Sequence, residues 1–224
     1  MKLLLAVSNA LNKWLKSDLP RLESVAGQQV GVNPLSSNKQ VFSWQLHIID
    51  NYYRSFEKTI IATEAYSRFT CFIPVTSLFT LEALEDRLLL EWQMVLAETT
   101  ECTGGLASSD IAYLLYELEQ MNFNVEWVKN TNLSINGHIT DAGLWVTQTL
   151  KDKNIECLPE ELAIDVAVYL NSQTKRINSR KEKFVPIERM LTYCRQLPPE
   201  QGGVDDEYLQ PIPNNVVQFK RINR

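Results

Sequence analysis

Apolar and polar positions along this chain follow first a two-residue period and then a helical one. Three short apolar runs lie nearly end to end: Trp44-Gln45-Leu46-His47-Ile48-Ile49-Asp50, Lys58-Thr59-Ile60-Ile61-Ala62-Thr63 and Phe69-Thr70-Cys71-Phe72-Ile73-Pro74-Val75. Each is of strand length and rich in β-branched and aromatic residues, and polar-aromatic links at 51–57 and 64–68 separate them, which predicts an antiparallel meander. In the first run Trp44, Leu46 and Ile48 share one face, and Gln45, His47 and Ile49 the other, so the first set is expected on the core. Upstream, Leu3-Leu4-Leu5-Ala6-Val7 stops at Ser8-Asn9, too short for a secretory hydrophobic region, and predicts a buried first strand. Ser8 then caps a short helix with Leu11, Trp14 and Leu15 at i, i+3 and i+4, stopped by Asp18-Leu19-Pro20. Residues 21–40, punctuated by Gly27, Gly31, Pro34, Ser36, Ser37 and Asn38, read as a long loop, either mobile or covering a site.

Helical spacing takes over after the meander. Leu81, Leu84, Leu88, Trp92 and Val95 form an apolar stripe, with Glu82, Glu85, Asp86, Arg87 and Glu91 as its wet face, up to a break at 99–108. Ser108-Ser109-Asp110 is expected to cap a second helix carrying Ile111, Leu114, Leu115, Leu118 and Met121 and ending at Asn122. Phe123 to Lys129 starts with an apolar-polar alternation and predicts an edge strand added to the meander. Ser134 or Thr140 opens a helix with Leu144, Trp145, Thr147 and Leu150. Pro159-Glu160-Glu161 starts another over 162–170, and Pro186 a shorter one. Beyond Gln196 the prolines, paired glycines and acidic residues indicate a peripheral extension, whose Val216-Val217-Gln218-Phe219 could add as a strand to an edge. The expected architecture is α+β: a small, mainly antiparallel sheet of about four or five strands packed against several amphipathic helices. One domain spans 1–196 and an extended C-terminal tail spans 197–224.

Composition narrows the function. A formal net charge of −5 and 45% apolar residues are values of an ordinary soluble globular chain, with no global attraction to phosphate or anionic lipid. Any nucleic-acid contact is left to a local patch. No apolar run approaches the roughly 18 residues a membrane helix needs, so no membrane partner is expected. Cys71, Cys102, Cys157 and Cys194 include no CxxC pair, which points to reduced thiols in a cytoplasm rather than zinc or redox chemistry.

Several pieces carry a resemblance: the Lys2-Leu3-Leu4-Leu5 strand with its helix, Trp44-x-Leu46-x-Ile48-x-Asp50, the strands holding Ile60-Ile61 and Phe72-Ile73-Pro74, Asn136-Gly137 to Gly143 before a helix, and Leu170-Asn171 with the Pro186-containing end. Over about residues 1–195 the chain resembles an uncharacterised prokaryotic family known only as a domain of unknown function. That resemblance implies no activity for any residue. The loop at 21–40 and the tail after 196 depart from the family pattern.

Catalytic motifs are lacking. No Gly-x-Ser-x-Gly, phosphate loop or Gly-x-Gly-x-x-Gly occurs, and Gly104-Gly105 and Gly202-Gly203 have no strand-to-helix setting. His47 and Asp50 would point to opposite faces of one strand, which argues against a base and its orienting carboxylate. His138 and Asp141, at i and i+3 near a helix start, could be neighbours, or merely a cap and a solvated imidazole. With two histidines in the chain a His-rich metal site is excluded. No catalytic, metal or cofactor residue is therefore assigned, and a non-enzymatic role is expected.

Two surfaces remain. Tyr52, Tyr53, Arg54 and Phe56, in the first hairpin link, have the composition of an interface hot spot, or fold back over the sheet. The run 175–183 holds Lys175, Arg176, Arg180, Lys181 and Lys183 against Glu182 and reads as an exposed loop that could engage phosphates, although no aromatic residues interleave to stack bases. An acidic protein partner fits it equally well. Trp92, Trp127 and Trp145 could line a pocket but are expected to complete the core. The expected role is a cytoplasmic protein-interaction or regulatory module, its partner unidentified. A defence, mobile-element or toxin-related system is one setting left open for it. The alternatives are nucleic-acid binding through 175–183 and an enzyme whose site no motif reveals.

Overall fold

The computed structural model describes residues 1–23, 32–51, 56–76, 79–177 and 182–197. Strand β1 (Lys2–Val7) and helix α1 (Asn9–Trp14) are followed by the meander β2 (Val41–Asp50), β3 (Lys58–Glu64) and β4 (Thr70–Val75). Helices α2 (Leu81–Thr103) and α3 (Ser108–Glu119), strand β5 (Asn124–Lys129), and helices α4 (Leu133–Lys153) and α5 (Glu160–Ser172) come next. The short strands β6 (Lys175–Ile177) and β7 (Glu182–Phe184) and helix α6 (Pro186–Cys194) complete the described chain.

The main sheet has five strands in the order β4-β3-β2-β1-β5. The meander is antiparallel as expected, with Trp44 opposite Glu64 and Ile61 opposite Phe72. The fifth strand, β5, does not extend the meander: β1 lies between them, parallel to both β2 and β5. The architecture is thus α+β on a mixed sheet. The unbroken apolar run Leu3–Val7 suits the central position, because a strand with neighbours on both sides and helices on both faces buries every side chain.

Both faces of β2 are covered. On one, Phe42 and Trp44 meet Trp92 of α2 with ring centroids 4.9 and 6.3 Å apart, and Tyr193 of α6 stacks on Phe42. On the other, Gly143 of α4 faces Ile49 and Ile61, where a Cβ would sit at ordinary contact distance, 3.6 Å from Ile61. The set Gln45, His47 and Ile49 is therefore an inner face too. Gln45 Oε1 accepts from the Asn132 backbone N–H at 2.6 Å, and His47 Nδ1 lies 2.8 Å from Ser8 Oγ.

Each sheet edge is managed differently. Along β4, Asn171 of α5 is fully buried and pairs with the Thr70 backbone, its Oδ1 accepting from N–H and its Nδ2 donating to C=O, both at 2.8 Å. This side chain does the work of a missing neighbour strand. At β5, residues 20–22 pair with Lys129. Asn33 and Asn130 bond reciprocally at 2.8 and 2.9 Å and hold Asn33, within the 21–40 segment, against the same corner.

Three details depart from the sequence reading. α3 is preceded by Ala107 at its N-cap, without a side-chain cap bond, rather than capped by serine. Glu91 is 1% exposed instead of wet, because Arg87 pairs with it at 2.7 Å and with Glu160 of α5 at the same distance. Trp145 is 43% exposed, whereas Trp92 is fully buried as expected. Among the described residues no helix is long and apolar enough to cross a membrane.

Candidate functional site

The most concentrated chemistry lies where the first half of α4 meets the β3–β4 turn and the β6–β7 hairpin. α4 begins at Asn132, whose Oδ1 accepts from the N–H groups of Ser134 and Ile135 at 2.9 and 3.1 Å. From that start, Ser134, His138, Asp141 and Trp145 fall at i, i+4, i+7 and i+11, one polar stripe along the helix. Ile135, Ile139, Ala142 and Val146 meanwhile are buried.

Arg68 reaches this stripe from the turn between β3 and β4. The turn is locked by Glu64, a fully buried carboxylate that accepts from the backbone N–H groups of Tyr66 and Ser67 and from the hydroxyls of Ser37 and Ser67. Those four donors satisfy it. Arg68 itself has a left-handed backbone (φ 61°), uncommon for a residue with a Cβ, and is 7% exposed. Its Nη1 donates to the Ala65 carbonyl and its Nη2 to Ser134 Oγ at 3.2 Å.

The third side is the hairpin. Residues 175–177 and 182–184 pair as antiparallel strands rather than forming an exposed loop, with Lys175 opposite Phe184, Arg176 opposite Lys183 and Ile177 opposite Glu182. Alternation turns Lys175 and Ile177 inward and Arg176 outward. Phe184 is buried, 6.4 Å ring to ring from His138, and the Arg189 guanidinium lies over the Phe184 ring, 3.8 Å from its centroid, while pairing with Glu182. Lys175 thus enters a partly dry niche.

The charges in the niche act on one another. Burial first, and then the positive charges of Lys175 and Arg68, hold His138 down to about 4, so its imidazole is neutral near pH 7. Burial likewise lowers Lys175 to about 8, with Asp141 opposing the shift and Arg68 adding to it. Among the described residues no carboxylate pairs with Lys175 within 4.0 Å. Among the described residues two cations, a neutral imidazole, a hydroxyl and the carboxylate of Asp141 thus act on one another here.

Further along α4, Trp145 packs at a tilt against Tyr169 in the last turn of α5, ring centroids 4.8 Å apart, and both are exposed. Leu144 beside them is 64% exposed.

The sequence-predicted positions divide accordingly. His138, Asp141 and Lys175 come together. Arg176 and Lys183 sit side by side on the hairpin's outer face, and Arg180 and Lys181 lie outside the described residues. Phe56 is 96% exposed just before β3, while Tyr52, Tyr53 and Arg54 lie outside the described residues. His47 and Asp50 are separated in role, since Asp50 pairs with Lys58 and burial lowers the His47 pKa. The thiols are free: Cys71 and Cys194 are buried, which pushes both well up and makes them poor nucleophiles. Among the described residues no group of three or more His, Cys, Asp or Glu side chains could hold a metal ion. Arg68 and Ser134 are the site residues missed by sequence reasoning; the polar spacing Ser134, His138, Asp141 was the available signal.

In comparisons with protein-family models, curated proteins and solved structures, nothing matches this chain.

Proposed function

We propose that this protein is a non-enzymatic interaction module that docks an acidic segment of a partner protein on the outer face of the β6–β7 hairpin. The observation carrying this reading is the exposed, directly opposed pair Arg176 and Lys183. Like charges facing each other across two strands destabilise a hairpin by roughly 0.2–1 kcal/mol, a cost that an acidic ligand would turn into attraction. The exposed Trp145–Tyr169 pair, at the end of the helix that leads into β6, supplies the large rigid aromatic surface that anchors interfaces. Phe56 and its neighbours in the β2–β3 link form a second candidate contact. Four free thiols suit a reducing compartment, in keeping with a cytoplasmic location.

The experiment compares tagged full-length wild type with R176E/K183E and W145A/Y169A in crosslinked recovery from the native host, followed by binding of the purified partner over a salt series. A specific partner with an acidic segment, bound less tightly as salt rises and lost to R176E/K183E with the circular dichroism unchanged, is expected. Equal recovery by wild type and both variants would refute the reading. A salt-sensitive shift of DNA or RNA that needs Arg176 and Lys183 would instead establish the nucleic-acid alternative.

A further inference from the structure

The two edges of the main sheet are not equally closed. Asn171 caps β4 at Thr70, whereas β5 has β1 as its one neighbour strand in the sheet. Alternation tells which of its backbone groups stay open. The Asn124 N–H donates to the Met1 carbonyl at 2.8 Å and the Asn130 N–H to the Val7 carbonyl at 3.1 Å, so even-numbered residues of β5 aim their N–H and C=O at β1 and odd-numbered ones aim theirs outward. Lys129 spends its outward pair on the Pro20 carbonyl and the Leu22 N–H, at 2.7 and 3.1 Å. The outward groups of Val125 and Trp127 have no backbone partner among the described residues. Such an edge is a template for one more strand, and the pairing already made at Lys129 limits that strand to about four or five residues.

We propose that residues 216–219 of the chain's own C-terminal tail add to this edge as a sixth strand, antiparallel to β5. Residues 198–224 lie outside the described residues, and it is their sequence and point of departure that single out this occupant. Val216-Val217-Gln218-Phe219 is a β-branched and aromatic run of the length the slot admits. Tyr193 of α6 stacks on Phe42 with ring centroids 5.3 Å apart, and Phe42 on Phe123 at 6.2 Å. The described chain, ending at Leu197 just past Tyr193, therefore stops near the end of the sheet where β5 starts. Residues 198–215 can span at most about 60 Å, ample to reach either end of the strand. With side chains alternating between faces, Val217 and Phe219 fall beside the half-buried Val125 and Trp127, and Val216 and Gln218 beside the exposed Asn124 and Glu126. Antiparallel pairing also returns Lys220 and Arg221 toward the last turn of α3, which holds Glu117 and Glu119 and no basic residue, an arrangement the helix dipole disfavours until a cation is near. So placed, the tail shields an edge otherwise open to other chains.

The test uses the full chain, with backbone amide hydrogen exchange followed by NMR. Consecutive residues of a strand turn their N–H groups to opposite edges, so one of V217P and Q218P removes a donor that pairs with β5, and neither alters the described fold. In the wild type the Val125 and Trp127 amides are expected to exchange at least about tenfold more slowly than in the disruptive variant. Backbone NOEs should join both residues to 216–219, and the protection should be independent of protein concentration. Fast exchange of both amides in the wild type, or equal protection in the wild type and both variants, would overturn the proposal. Protection that grows with protein concentration would place a second copy on the edge and overturn it as well.

Discussion

Replacing His138 by Gln removes the one group in the niche whose charge should change in mild acid. In the folded chain burial and the nearby Lys175 and Arg68 hold the imidazole at about 4, against 6.5 for an unhindered histidine. Above pH 6.5 it is neutral whether the chain is folded or not, and the substitution changes no proton balance. Between 6.5 and about 4 the unfolded chain takes up a proton that the folded chain refuses. Stability then falls with pH at up to about 1.4 kcal/mol per pH unit, reaching a total near 3 kcal/mol, and the fall ends once the folded-state pKa is passed. With a urea dependence of roughly 2–3 kcal/mol per molar, this amounts to about 1 M in the unfolding midpoint. Urea titrations of wild type and H138Q at pH 7, 6, 5 and 4 isolate the effect, since carboxylates elsewhere titrate equally in both. The wild-type midpoint should approach or cross that of H138Q as pH falls. Curves that decline in parallel over the whole range would refute the claim that this imidazole is held neutral by its surroundings.

Other consequences follow from single contacts. Asn171→Leu strands the N–H and C=O of Thr70 without partners at the β4 edge, and should cost about 2–4 kcal/mol with an unchanged urea slope. Arg87→Met leaves the Glu91 carboxylate buried beside α5 without its cation and should cost about 3 kcal/mol, whereas R87M/E91L should recover most of that loss. Gly137 sits inside α4 with open space where a Cβ would go, so G137A should stabilise by about 1 kcal/mol and raise the melting temperature by roughly 2–4 °C.

The meander was legible because β-branched and aromatic runs of strand length, separated by short links, mark both the strands and their antiparallel order. The same reasoning did not reveal β1 as the middle strand. An unbroken apolar run announces burial on two faces without naming the neighbours, and the parallel pairing with β5 spans more than a hundred residues of sequence. The hairpin at 175–184 escaped because strands of three residues carry too little alternation to distinguish from a basic loop. Trp145 was assigned to the core by its apolar character, yet its place on the Ser134, His138, Asp141 stripe turns it outward. Half of the niche was visible as helical spacing on α4. Arg68 was not, because it belongs to a turn whose left-handed backbone and Glu64 lock are set by tertiary contacts.

The claim on which the site depends is that Lys175 is drawn out of water toward Arg68 and His138. Site-resolved NMR titration of the lysine Nζ and Cε signals measures this directly. Lys175 should titrate at about 8, apart from the surface lysines, and the folded chain should gain stability relative to K175Q as pH rises from there toward 10.5, where the unfolded chain alone still holds the proton. A Lys175 that titrates together with the exposed lysines near 10.5 would mean that the niche is open to solvent and the account is wrong.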